Sequence, residues 1–500
     1  MRADLLTSPI DGLDEAHAAV DAFDQVLVAG LLRPGPGQAA GLAGLTSAVA
    51  RTPLAARVTE AAEKAAAGTA AEDHYLALAA ARTALLGSVH DALLARISEA
   101  TGRSAGDEDP DGLVTGETTG SGRPGPGAPP TNLLAAARSW LADLARAGWQ
   151  GLDSEVVSGS APVISAMLPD LRVRRLAALL DGFATELAAS CPGASMERFP
   201  TRRWADLWSR AMMLTVPGAL GFPASDAPTG ESAATDGGPE DDSMADASAV
   251  TTATGRLLPL GIDLHEHATA VQAQVHAVLE PAGGGVPRLV RASVSAPKTD
   301  TIVGAGVWQL LRPHLSLLSA VSEGRSMDLT GMPLTAAGDL IWSDEHARLG
   351  EPADSFATAR VALSTAVGAP TAPLDRHPAA IAVPVLLEGY TVPKNTSSAL
   401  TFTVAGHPLA VDTDRVPAAG PLTPAAVAKS GACIGLLRWD AGAFALQPLA
   451  VETTVKKKAV TVHGGGWAGG TTDKAGVKAE KAAADAATVL RERAGRLLRK

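Results

Sequence analysis

The chain has 500 residues, 46% of them hydrophobic and 19% charged, with a net charge of −11. That length provides for two to four domains at about 100–200 residues each, and the apolar content excludes wholesale disorder. The acidic balance argues against a general nucleic-acid coat and leaves room for a local basic patch.

Residues 1–102 read as a helical domain. Leu13, Ala16, Val20, Phe23, Leu27 and Leu31 recur at three- and four-residue steps, one face of a helix that Asp11 can cap and Pro34–Gly35 stops. Thr52–Pro53 suits the start of another helix. A longer one over about 72–100 carries Leu78, Leu85, Val89, Leu93 and Ile97, and Gly102 ends it. Residues 103–131 keep no apolar period and read as a linker. Helix resumes over 132–221, with stripes at Leu134, Ala137, Trp140, Leu141 and Leu144, then at Leu176, Leu179, Leu180, Phe183 and Leu187. Thr201 caps a third stretch, RRWADLWSRAMML. Residues 222–250 hold seven acids and no basic residue, the composition of an acidic disordered linker.

After 251 the period becomes alternating. Val271, Ala273, Val275, Ala277 and Leu279 alternate with Gln272, Gln274 and His276, the pattern of a half-buried strand. Strands are expected at Arg288–Ser295, Ile381–Leu387, Leu400–Val404, Leu409–Asp412, Cys433–Trp439 and Ala443–Val451. Hairpin turns are expected at Ala405–Gly406 and Asp440–Ala441–Gly442. Trp308–Val321 reads as helix despite Pro313. Residues 251–455 therefore form a β-rich domain. Residues 456–500 are a basic, glycine-containing tail with a helix. From 454 onward there are eleven Lys/Arg against four Asp/Glu. The expected fold class is α+β and multidomain: an all-α N-terminal half, an antiparallel β-rich C-terminal half arranged as a barrel or sandwich, and a C-terminal basic helix.

The two cysteines, Cys191 and Cys433, have no metal-type spacing, which excludes a cysteine zinc site and suits a reducing, cytoplasmic compartment. No signal peptide and no membrane span are expected. Alanine is a fifth of the chain and aromatics are 3%, a skew typical of a high-GC bacterial genome.

Four constellations can carry chemistry or contacts. His463–Gly464–Gly465–Gly466–Trp467 resembles the oxyanion loop of α/β-hydrolase esterases, but the G-x-S-x-G nucleophile elbow is missing. A flexible glycine joint is the plainer reading. Asp263, His265 and His267 would share one side of a strand, where two imidazoles and a carboxylate can hold zinc or iron. An exposed polar strand end is the alternative. Arg202, Arg203, Trp204 and Trp208, with Arg210, mix indole and guanidinium on one helix, which makes a protein-binding anchor if that face is exposed and core packing if it is not. Lys474, Lys478 and Lys481 share a face of the tail helix, with Ala483, Ala487, Leu490, Ala494 and Leu497 as its apolar stripe. That face suits an acidic protein surface, nucleic acid or anionic lipid. No catalytic residue and no cofactor are assigned.

Two stretches, ERFPTRRWADLWSRAMML (197–214) and RLLPLGIDLHEHATAVQAQVHAVLE (256–280), resemble uncharacterised bacterial proteins encoded beside MoxR-type AAA+ ATPases, von Willebrand A-domain proteins and SWIM zinc-finger proteins. The resemblance covers about a tenth of the chain. It implies a companion or adaptor of an ATPase-driven, chaperone-like system. The leading expectation is thus a non-enzymatic cytoplasmic interaction protein. The alternatives are a nucleic-acid-binding protein that uses the β domain and basic tail, and a metal-dependent or esterase-type hydrolase.

Overall fold

The computed structural model describes residues 1–103, 130–216, 250–393 except 268, 400–472, and 474–489 except 475, 479, 483, 486 and 487. Nearly all of both expected linkers lies outside the described residues, as do Ala483, Ala487, Leu490, Ala494 and Leu497 of the tail stripe.

Among the described residues the N-terminal half holds ten α-helices: α1 (Ala3–Thr7), α2 (Leu13–Ala29), α3 (Pro36–Ala48), α4 (Ala55–Ala66), α5 (Glu72–Thr101), α6 (Thr131–Ala147), α7 (Ser154–Ser158), α8 (Ser160–Met167), α9 (Arg174–Ala189) and α10 (Thr201–Leu214). The two helical segments share one core, in which Phe23 and Leu78 pack with Trp140, Phe183, Trp204 and Trp208. Glycine permits the fusion. Gly30 (φ +82°) ends α2 and Gly148 (φ +69°) ends α6, and a Cβ on Gly148 would lie 2.3 Å from the Gly30 nitrogen. The ends are then stitched by Leu31 N–H to Ala145 O at 3.1 Å and Trp149 N–H to Leu27 O at 3.0 Å. Inside this core Arg82 is only 1% exposed. It donates to both Asp24 oxygens at 2.6 and 3.1 Å, to Asp206 at 2.7 Å and to Ser209 at 3.0 Å. A buried guanidinium is tolerated there because its donors find partners.

Among the described residues the C-terminal half holds two six-stranded sheets. Sheet A contains β1 (Val250–Glu266), β2 (Ala270–Pro281), β3 (Arg288–Pro297), β4 (Arg325–Thr335), β5 (Asp339–Leu340) and β6 (Ala347–Pro352). Its order is β1-β2-β3-β5-β4-β6, and β4 also returns to β1 by an antiparallel ladder. The sheet therefore curls around its own core. The join between β3 and β4 is slight, because it runs only through the two-residue β5. Two short helices, α11 (Val307–Leu310) and α12 (Leu315–Ser322), separated by a turn at Arg312–His314, lie between β3 and β4 and fill the inside of the curl with Trp308, Leu311, Leu317 and Leu318. Pro313 accounts for the break, since it has no N–H for a continuous helix.

Sheet B contains β7 (Val383–Glu388), β8 (Thr401–Val404), β9 (His407–Val411), β10 (Ala432–Asp440), β11 (Ala443–Val455) and β12 (Lys458–His463), in the order β7-β10-β11-β9-β8 with β12 paired to β11. The outer face of sheet A packs on sheet B in a sandwich-like arrangement. Leu258, Leu260 and Val278 meet Ala432, Ile434 and Ala450, and α13 (Ser355–Ala362) wedges Phe356 between them. The short α14 (Pro424–Ala428) adds Val427 to the other face of sheet B. Both hairpins expected from Ala405–Gly406 and Ala441–Gly442 are present, each with two residues at positive φ.

The halves are coupled twice. The first part of α5 packs in the helical core, while Val89, Leu93 and Ile97 further along pack with Leu6 against sheet B. The segment 371–380 of the β half also lies on the helical half. Leu374 packs against the helical core, Asp375 accepts from Arg210 at 2.5 Å, and Asp91 accepts from Arg376 at 3.2 Å.

Candidate functional site

A buried polar cluster lies where sheet A meets sheet B, and a bulge places it there. Along β1, Leu257 faces the curl's core while Leu258 and Leu260 face outward. The register shifts between Pro259 and Gly261. One extra residue reverses the alternation. Ile262 and Leu264 then turn inward, and Asp263 and His265 turn toward sheet B. At the bulge Gly261 comes so close to β11 that a Cβ would stand 2.7 Å from that of Leu449.

Asp263 is 2% exposed. It accepts from Arg438 Nη2 of β10 at 2.6 Å and from Gln447 Nε2 of β11 at 2.7 Å, and His265 Nε2 lies 3.0 Å away. Arg438 also donates to the side-chain oxygen of Gln447. Burial alone raises the Asp263 carboxyl. The His265 hydrogen bond and the charges of His265 and Arg438 outweigh burial and bring it down to about 2. His276 of β2, opposite Gly261, is fully enclosed, and burial pushes its ring down to about 3. Its Nε2 has no hydrogen-bond partner among the described residues. Toward solvent the same face continues as a polar rim, with half-exposed His265, exposed Gln272 and Ser295, and Gln274 donating to Ser293 at 3.1 Å.

This cluster is a pinned ion pair. Asp263 and His265 do meet, as the strand spacing predicts. His267 stands exposed beyond them, and among the described residues no group of three His, Cys, Asp or Glu is placed to hold a metal ion. The carboxylate's lone pairs go instead to Arg438 and Gln447. Those two residues carry the cluster and were not singled out from sequence. Their signal was there, since each is a long polar side chain inside an otherwise apolar strand. Among the described residues no hydroxyl or thiol is hydrogen-bonded to His265, so this imidazole is not set beside a nucleophile.

A cleft of about 480 Å³ opens beside Gly261, between the α12–β4 turn, the start of α13 and β12. Asp354 caps α13 there by accepting from Phe356 N–H and Ala357 N–H at 2.8 and 3.3 Å. His463 lines the cleft with a buried Nδ1 that has no hydrogen-bond partner among the described residues, and burial lowers its ring pKa. The glycines after it are a packed crossing, not a loose joint. A Cβ on Gly465 would meet Ile262 and Val321 at 2.9 Å, and one on Gly420 would sit 1.9 Å from the Gly464 carbonyl oxygen. Close backbone approach explains the run of glycine.

The Arg/Trp helix, α10, is turned inward. Trp204 and Trp208 are 1% and 0% exposed. Trp208 donates its indole N–H to Leu141 O at 2.9 Å, and Trp204 stands edge-on to Trp149 at 5.7 Å between ring centres. The two indoles are core packing. The cations are engaged within the chain: Arg202 with Asp21 at 2.5 Å, Arg203 with Glu186, and Arg210 with Asp375. The tail is different. Lys474, Lys478 and Lys481 are helical and exposed, and the helix is held near α11 by Gln309 donating to Glu480 O at 2.9 Å. The basic run 456–458 is the tip of the β11–β12 hairpin.

Comparison of the chain with family models, with curated proteins and with solved structures found no match.

Proposed function

We propose that this chain is a cytoplasmic interaction protein that works by binding and not by turnover, an adaptor for a protein partner such as an AAA+ ATPase or an A-domain protein. The supporting observation is how its charged groups are used. The buried clusters at Arg82 and Asp263 tie elements together, whereas Lys474, Lys478 and Lys481 of the C-terminal segment are exposed. No helix among the described residues is long and apolar enough to cross a membrane. The partner class rests on the resemblance at 197–214 and 256–280. Capture of the tagged full chain from its host at moderate salt, with mass spectrometry of what co-elutes, tests it. An AAA+ ATPase or A-domain protein that enriches with the wild type and is lost with Lys474→Glu/Lys478→Glu/Lys481→Glu supports the reading. Turnover of a substrate by the isolated chain overturns it.

A second reading, nucleic-acid binding, is favoured by the strand circuit of sheet A. The order β1-β2-β3-β5-β4 with return to β1, and helix between β3 and β4, is that of the five-stranded, partly open Greek key of oligonucleotide- and oligosaccharide-binding (OB) barrels. Exposed aromatic side chains for stacking are few, so contacts would be to phosphates. Salt-dependent binding to DNA or RNA tests this reading. Point variants suit this test better than truncation at 454, which would remove β12 from sheet B.

A further inference from the structure

Among the described residues sheet B contains three two-residue hairpin loops whose residues both have positive φ, the arrangement that matches the strand twist and normally demands Gly or Asn. Two of them, Ala405–Gly406 and Ala441–Gly442, place glycine second. The third, between β11 and β12, is Lys456–Lys457, with φ +51° and +64°. Neither residue has glycine's freedom or the short polar side chain by which Asn adapts to this region, so the turn is strained. Lys458 follows at the first position of β12, and all three lysines are exposed. Among the described residues none of the three has a carboxylate partner. The tip thus holds three adjacent cations without a carboxylate partner among the described residues, on a turn whose backbone would be relaxed by asparagine and glycine.

We propose that the β11–β12 hairpin tip is a phosphate-backbone contact, with Lys456, Lys457 and Lys458 docking on nucleic acid. This rests on the nucleic-acid reading above and names the residues that make the contact. Lysine ammonium groups are compact point charges without bidentate geometry, which suits sequence-independent contact with a regularly charged polyanion. The lack of aromatic neighbours at the tip fits the same mode. The lysines are kept at a strained turn because their charge is what the tip supplies.

Three variants of the full chain test it against a short fluorescein-labelled DNA duplex over a salt series. Lys456→Asn/Lys457→Gly relaxes the turn and removes two charges. It is expected to raise Tm by about 2 °C, to weaken low-salt binding by about tenfold, and to lower the slope of log K against log salt by about 2. Lys456→Gln/Lys457→Gln is expected to lose binding equally with no gain in Tm. Lys456→Arg/Lys457→Arg is expected to bind as the wild type does. A wild type that does not bind the duplex at low salt overturns the nucleic-acid reading, and this proposal with it. Duplex binding that the Asn–Gly variant leaves intact overturns the hairpin tip alone. Binding to a poly-glutamate chain but not to duplex makes the tip a dock for an acidic protein, and the proposal falls.

Discussion

Asp263 on β1 and Arg438 on β10 meet at 2.6 Å, and this polar contact joins two sheets beside an apolar seam that includes Leu258, Leu260, Ile434 and Ala450. Both side chains are almost wholly enclosed. Such a pair contributes little net stability compared with an apolar contact, but it penalises the loss of either member heavily. Asp263→Ala is expected to cost about 3–5 kcal/mol, because it strands the Arg438 guanidinium. Asp263→Leu/Arg438→Met should cost clearly less. Guanidinium unfolding midpoints decide it. A single-variant loss under about 1 kcal/mol, the scale of an exposed pair, would mean that water reaches the cluster.

The pH dependence of stability separates the two buried groups. His276 has its pKa pushed down from 6.5 to about 3. Below pH 6.5 the unfolded chain takes up a proton that the folded chain refuses. Stability therefore falls as pH drops from 6.5 toward 3, by at most about 1.4 kcal/mol per unit. Asp263 acts lower. Its carboxyl sits at about 2 against 3.8 when free, so its contribution is whole above 3.8 and is lost as pH falls through 2. His276→Gln should flatten the upper window and leave the lower one. Urea midpoints measured across this range check it, and an unchanged upper slope in the variant would assign that slope to other groups.

Trp208→Ala is expected to destabilise the helical half by about 3–5 kcal/mol, as removal of a fully buried aromatic ring does. Lys474→Glu/Lys478→Glu/Lys481→Glu should stay within about 0.5 kcal/mol of wild type. Thermal unfolding of the two variants makes the contrast. A tolerant Trp208 and a sensitive lysine face would reverse the assignment of core and contact surface.

The glycine crossing makes a prediction of its own. Gly420→Ala pushes a methyl group against the Gly464 carbonyl, and because the neighbour is backbone it can give way only by disturbing the adjoining contact of Gly465 with Ile262 and Val321. A loss of about 1–3 kcal/mol or more is expected, as for overpacked sites. Gly283→Ala, in open space on the β2–β3 turn, serves as the control. Equal stability of the two variants, measured by thermal melting, would show that the crossing is loose.

Much of the architecture was legible in residue order. The stripes at Val20, Phe23 and Leu27 and at Leu176, Leu180 and Phe183 lie on buried helix faces. The alternation of Val271, Ala273 and Val275 marks β2, and Ala-Gly marks two of the hairpin loops. Helical and strand periods are local, set by which side of one element is apolar, so a single sequence carries them. The pairing of Asp263 with His265 was visible for the same reason. The choice between sandwich and barrel was not, because the strand circuit depends on β4 returning to β1 across about seventy residues. The union of the two helical segments in one core was equally hidden. Arg438 and Gln447, 175 and 184 residues from Asp263, turned a candidate metal ligand into an ion-pair anchor. The exposure of Trp204 and Trp208 could not be read from their spacing, since a Trp/Arg helix face looks the same whether Trp149 and Leu141 cover it or a partner does. Residue order determined which faces are apolar and where the chain turns; the tertiary structure alone decided what each face meets, because burial and charge pairing arise between residues far apart in sequence.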